Sequence, residues 1–369
     1  MPDEVRVVRA EKGLHWGTIT YERVAPRAGP QVCPMNGTVM VVPSWGRPCG
    51  VAEYARSLTA ALEGLGHPVE VVGSVDGLEQ RARGRRVHLQ YEYSLHDPTA
   101  LRELLRRLHR RGRGAVVTAH SFAPELADHN ALICACSRII VHSELVRRGL
   151  IAAGADPGRI ELIAMPTPRP AVVPREGLRR ELGVGDGPAV GFFGFAYPHK
   201  AMIPLLDAVA KLQESRPELG AFFLTSAAPN DTSRRSLAHF LDHLRERRLG
   251  GVTMWEGYLP EEEAVRRLSA LDLVVLPYRE HRAVGTSAAV RVALAAARPV
   301  LVTDTSFFSD LGPEVRKLPA GDADTIAAGV AQLLGDPAAQ AALIQAARAY
   351  CERHTWEAAA ARHLAVYLG

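Results

Sequence analysis

Hydrophobic and polar positions follow one repeating order along this chain: a short apolar run, a polar loop, then a stretch with apolar residues three or four positions apart. Short continuous apolar runs predict buried strands, and the wider spacing predicts helices packed along one face. In the first half the runs are Val39–Pro43, Val69–Val72, Val87–Tyr91, Ala115–Ala119, Ile139–Val141 and Ile160–Ala164. A helix is predicted from about Val51 to Leu65, closed by Gly66. A second runs through Leu101, Leu104, Leu105 and Leu108, with arginines on its opposite face.

The Pro-rich stretch Ala164–Gly177 breaks the alternation and predicts an interdomain linker. The pattern then restarts with Ala189–Phe193, Ala221–Thr225, Val252–Glu256, Leu273–Leu276 and Val300–Thr303. Strands alternating with helices mean parallel sheets covered on both faces. The expected fold is therefore α/β, with two doubly wound parallel-sheet domains facing a cleft. The expected boundaries are an N-terminal extension over 1–37, a first domain over 38–170, and a second over 175–353. A terminal helix over about 354–369, with Trp356, Leu364 and Tyr367, is expected to cross back onto the first domain.

At 369 residues, 47% hydrophobic and 23% charged, the chain has the composition of an ordinary globular protein with two cores. No apolar run approaches membrane-spanning length, and the N-terminus lacks a signal-like apolar segment. Five cysteines form an odd set without CxxC spacing, and Cys134 and Cys136 read as small buried residues. A reduced, cytoplasmic setting is expected. Net charge is only +4, and the one dense cluster is Arg102–Arg113. That cluster reads as a solvated helix face, with peripheral contact to an anionic membrane as the functional alternative. Nucleic acid is not an expected partner, because no aromatic interleaving accompanies the charge.

Two loops carry candidate chemistry. After the strand Leu273–Leu276, Gly285-Thr286-Ser287 opens an Ala-rich helix, and a helix N-terminus after a parallel strand attracts anions. After the strand Ala189–Phe193, Gly194 leads to Lys200, one of only four lysines and a compact cation suited to a diphosphate. Two acidic clusters mimic metal sites. Asp322-Ala-Asp324 precedes a helix near Thr325 and reads as an N-cap. Glu261-Glu262-Glu263 opens another helix, where the macrodipole favours acids. No metal or cofactor is expected.

The order of these stretches resembles the group 1 glycosyltransferases of the GT-B fold. Those that agree include CGVAEYARSLTAALEGLGHPVEVV, VVTAHS, FFGFAYPHKAMIPLLDAV, WEGYLPEEEAVRRLSALDLVVLPY and the terminal HTWEAAAARHLAVYLG. The resemblance implies a nucleotide-diphosphate sugar bound by the second domain, an acceptor bound by the first, and transfer with retention. It places Lys200 on the donor diphosphate, the Gly285–Ala288 turn (with Thr286 and Ser287) on the phosphates, and Leu259 on the base. Gly194 precedes the family's phosphate-binding arginine. His120 matches a histidine near the reactive end of the sugar. Trp45, Arg47, Gly50, Glu53 and Glu92 fall on the acceptor side.

Three positions depart from that pattern. Phe195 stands where the family has its arginine, and Val284 and Val292 stand where it has two glutamates. Valine has no acceptor for a sugar or ribose hydroxyl. Arg279, Arg282 or Arg291 is expected to supply replacement charge, Arg279 being nearest a strand end. An altered donor, a rebuilt donor site, a non-glycosyl transferase or a vestigial binding subunit are the readings these departures leave.

Overall fold

A computed structural model describes residues 37–170 and 174–369, together with the backbone of Glu4–Arg6 and Glu22–Val24, which pair antiparallel. The rest of the expected N-terminal extension lies outside the described residues. Six parallel strands form each of two sheets. In the first the order is Val69–Val72, Thr38–Val41, Arg86–Tyr91, Ala115–Ala119, Arg138–Val141, Ile160–Leu162. In the second it is Val252–Glu256, Gly220–Ser226, Ala189–Phe195, Leu273–Leu276, Val300–Thr303, Arg316–Leu318.

Both sheets reverse their winding at a strand near the middle, and the loops that diverge there leave a crevice at the carboxyl ends. In the first sheet the reversal falls between Thr38–Val41 and Arg86–Tyr91, in the second between Ala189–Phe195 and Leu273–Leu276. The strands read as continuous apolar runs because each is covered on both faces: Val39 to Val42, Leu273 to Leu276 and Val300 to Val302 are all buried.

The last helix, Trp356–Leu368, lies against the helix Gly50–Gly64 of the first domain. Ala359, Ala360, Val366 and Tyr367 join Met40, Leu58 and Leu62 in one core. Beneath this helix sits a buried polar cluster. The Tyr54 hydroxyl is 3.3 Å from His363 Nε2, whose Nδ1 donates to the Ala359 carbonyl at 2.8 Å. The Tyr367 hydroxyl meets His88 Nδ1 at 2.7 Å, and His88 Nε2 meets Thr118 at 2.8 Å.

The domains also touch through backbone. Val284–Gly285 of the second pairs antiparallel with Ser121–Phe122 of the first. A Cβ on Gly285 would stand 3.1 Å from the His120 carbonyl oxygen and 3.3 Å from the Ser121 Cβ. Gly285→Val is therefore expected to destabilise the protein by roughly 1–3 kcal/mol through overpacking. Thermal melts read the loss, and an unchanged melting temperature would show that the bridge yields without strain.

The arginine-rich helix runs from Pro98 to Arg110, with Asp97 capping the Thr99 amide at 2.9 Å. Its charged face is not uniformly basic. Glu103 pairs with Arg107 at 2.8 Å, and Glu79 pairs with Arg111 at 2.9 Å. These acids lower the field that the cluster presents to an anionic surface. Cys136 is buried as expected, whereas Cys134 is only partly so. Among the described residues no helix is long and apolar enough to cross a membrane.

Candidate functional site

Where the two switch points face each other, the domains enclose a cavity of about 260 Å³. Its cation is Lys200, placed by an unusual backbone. Gly194, next to last in the strand Ala189–Phe195, has a φ of +133° that suits only glycine, and a Cβ built on it would stand 3.5 Å from the Cβ of Ala289. A short turn, Pro198–Lys200, follows, and Ala201 then adopts the left-handed region at φ 52° before the helix Met202–Gln213. A non-glycine residue there costs about 1 kcal/mol, a strain that collects at functional sites.

The Lys200 ammonium sits 3.6 Å from the centroid of the Tyr278 ring. Among the described residues it has no carboxylate partner within ion-pair distance, and burial pushes it down to about 7. Beside it His199 lies stacked between Tyr197 and Phe307, with centroids at 5.6 and 5.2 Å. Burial and then the neighbouring Lys200 charge hold His199 neutral, down to about 3.

Of the donor-side residues expected from sequence, Gly194, Phe195, Lys200, Leu259 and Ala288 line this cavity. Phe195 stacks on Tyr258 at 6.1 Å with planes 16° apart, giving the wall an aromatic face where the family carries charge. Gly285, Thr286, Ser287 and Arg279 do not line it. Gly285 is committed to the pairing with Ser121, and the Ser287 hydroxyl lies 3.4 Å from the Tyr278 hydroxyl. Arg279 is exposed, and its amide donates to the His199 carbonyl at 2.7 Å. The expectation that Arg279 supplies replacement charge is thus corrected: Arg291, buried and paired with Asp310, is the arginine that reaches the cavity wall.

On the acceptor side Gly50 and Glu53 line the cavity, while Trp45, Arg47 and Glu92 do not. Trp45 and Arg47 are exposed, with the Arg56 guanidinium 5.9 Å from the Trp45 ring. Glu92 accepts from the Ser121 hydroxyl at 2.7 Å, a contact its strand end dictates. His120 is also absent from the lining. Its Nε2 donates to Gln90 Oε1 at 2.9 Å, and its ring meets Tyr54 edge-on at 4.9 Å. Tyr54 lines the cavity, so His120 sits directly behind the wall. Burial holds it well below the usual histidine range, hence neutral.

The two valines are placed differently. Val284 turns away and packs on the core of the first domain, whereas Val292 forms part of the cavity wall. Glu261 was read as a helix-start acid, and it does open the helix Glu261–Ser269. It also lines the cavity, where burial and then the Glu53 carboxylate across the cleft push it up to about 7. Tyr197, His199 and Tyr258 lie within stretches that carry the resemblance, yet it assigns them no role, and Glu261 stands out locally only as a helix-start acid. Asp322 caps Thr325 at 2.9 Å, as expected. Among the described residues no group of three or more His, Cys, Asp or Glu is placed to hold a metal ion.

Residues 187–336 match the family described as Glycosyl transferases group 1, which bears out the sequence resemblance over the second domain. No curated protein matches the sequence. Among solved structures, Anabaena Alr3699/HepE in complex with UDP superposes with a TM-score of 0.70 at 17% identity, over 89% of this chain and 98% of that one. The sucrose-phosphate synthase of Thermosynechococcus elongatus gives 0.70 at 17%, over 90% and 98%. WaaG, a glycosyltransferase involved in lipopolysaccharide biosynthesis, gives 0.63 at 14%, over 90% and 100%. At such identities the likeness establishes the shared GT-B fold, and the family match covers residues 187–336 of it.

Proposed function

We propose that the protein transfers a sugar from a nucleoside-diphosphate donor to an acceptor nucleophile, with retention of configuration. The observation that carries this reading is Lys200: a cation without a carboxylate partner among the described residues, at a cavity beside a sheet switch point. The helix Ala288–Ala295 brings its N-terminal residues Ala288 and Ala289 to the same wall. Its free amides and Lys200 together suit the charge that develops on a leaving diphosphate. The solved Anabaena structures hold UDP and UDP-glucose, which makes a uridine nucleotide the first donor to test.

In this reading neither a metal nor a cofactor is needed, since the chain's own donors meet the phosphate charge. Phe195 and Tyr258 form the aromatic wall for the base, beside Leu259. The acceptor enters from the side of Gly50 and Glu53. His120 is a positioning residue that acts through Tyr54. The reaction is placed in the cytoplasm, with the Arg102–Arg113 face as the surface for any peripheral membrane contact.

The aromatic wall separates base from phosphate. Phe195→Ala removes a stack contributing about 0.5–1.5 kcal/mol, so UDP should bind roughly three- to tenfold more weakly. Inorganic pyrophosphate should be unaffected, which titration calorimetry can compare directly. Equal losses for both ligands would move Phe195 off the base. Incubation with a panel of UDP-sugars and candidate acceptors, read by NMR of the anomeric proton, tests transfer and its stereochemistry. Tight UDP binding with no transfer from any donor would favour a vestigial binding subunit, the reading that Phe195 and Val292 support.

A further inference from the structure

Behind the front cavity the domains leave a second crevice of about 460 Å³. Its inner wall holds His142 from the first domain and Asp310, Glu314 and Tyr350 from the second. His142 is 2% exposed, and its Nδ1 donates to the Ile163 carbonyl at 2.9 Å, so the proton sits on Nδ1. Burial keeps the ring neutral, which leaves Nε2 as a lone pair with no donor among the described residues. Asp310 pairs with Arg291 through one oxygen, while the other, Oδ1, is buried without a partner among the described residues. Arg291, behind Asp310, is 1% exposed and lines the front cavity, and its Nε and Nη1 are buried donors without acceptors among the described residues. Buried groups left unmade cost about 1–3 kcal/mol each, so a cluster of them calls for an occupant.

The chemistry of the wall selects among occupants. A simple anion would face Asp310 and Glu314 on the inner wall, and a simple cation would face Arg148 and Arg353 at the mouth. Hydroxyl groups satisfy both sides, because each donates and accepts. Tyr350, 5% exposed with His354 stacked at 4.0 Å and the Arg291 guanidinium 5.4 Å from its ring centroid, closes the inner wall. At the mouth stand Arg148 and Arg353, exposed and without a carboxylate partner among the described residues. Arginine is the side chain suited to a phosphate.

We propose that this rear crevice is a second binding site, for a phosphorylated sugar, with the ring against His142, Asp310 and Tyr350 and the phosphate between Arg148 and Arg353. The site touches the donor cavity through the Arg291–Asp310 pair, and it stands whatever that cavity transfers. Its walls come from both domains, so occupancy favours one interdomain arrangement.

Calorimetry with the front cavity saturated by UDP tests the site, using glucose-6-phosphate, mannose-6-phosphate and galactose-6-phosphate, with glucose and inorganic phosphate as half-ligands. At least one hexose phosphate should bind one-to-one, on the order of tenfold more tightly than either half. The double variant Arg148→Ala/Arg353→Ala should lose on the order of tenfold in that affinity. Both arginines are exposed, and an unchanged melting temperature confirms that the variant folds. Lys200→Ala should leave the binding intact. A crevice filled by water alone gives no heat with any probe at millimolar concentration and overturns the proposal. So does affinity unchanged in the double variant, or a loss that follows Lys200→Ala into the front cavity.

Discussion

Lys200→Ala is expected to weaken binding of both UDP and inorganic pyrophosphate by about one to two decades. A charge-assisted contact contributes about 1.5–3 kcal/mol, and each 1.4 kcal/mol is about tenfold. The pH dependence follows from the cavity. In the empty protein burial pushes Lys200 down to about 7. A bound diphosphate favours the ammonium form, so its pKa rises and binding takes up a proton. Affinity should therefore fall as pH rises above about 7, approaching tenfold per unit while the free lysine is neutral and the bound one charged. Calorimetry in buffers of different ionisation enthalpy reads the proton directly. The pH-dependent arm should vanish in Lys200→Ala, and melting temperature should not drop, because the substitution removes an amine that burial disfavours and that has no carboxylate partner among the described residues. Pyrophosphate affinity unchanged by the substitution would remove Lys200 from the phosphate site.

The second large effect is acid sensitivity. His88, His120, His142 and His363 are buried, and burial lowers each from the usual 6.5; His142 and His363 are pushed down to about 4. A histidine with a depressed folded pKa contributes stability that is present above its unfolded value and is lost as pH falls through the interval below it. One pH unit below 6.5, His142 and His363 each cost about 1.4 kcal/mol, about 3 kcal/mol together, and His88 and His120 add in the same direction. Glu92 and Glu261 are raised by burial and oppose this, because protonation relieves them as pH falls. The histidines outnumber them, so the melting temperature should fall steeply between the unfolded histidine value and about 4. Fluorescence of Trp356, which lies 5.2 Å from Tyr54 in this cluster, should report undocking of the last helix. A flat melting temperature across that window would mean that the cluster accommodates charge.

The division between local and long-range information is clear in particular residues. Buried parallel strands are covered on both faces, so Leu273–Leu276 and Val300–Thr303 announce themselves as continuous apolar runs. Lys200 was legible because lysine is scarce here and because a strand-to-helix loop at a switch point is where anions bind. Asp322 was legible because an N-cap needs only its own next three residues.

What tertiary structure decided are contacts between segments far apart in the chain. The acids at Glu261 have a sufficient local explanation in the helix start, which hid the meeting of Glu261 with Glu53 across the cleft. Val284 reads as a missing carboxylate, yet it packs against the first domain beside the Val284–Gly285 pairing with Ser121–Phe122. That pairing takes Gly285 out of the phosphate turn, and no short-range pattern encodes it. His120 ends a strand like a cleft residue, but the helix carrying Tyr54 comes between it and the cavity. The sequence by itself determined two α/β domains, because hydrophobic period and helix ends are written within a dozen neighbouring residues. Which side chains share the cavity was decided only when the two sheets faced each other, because side chains hundreds of positions apart meet there through packing that no local spacing records.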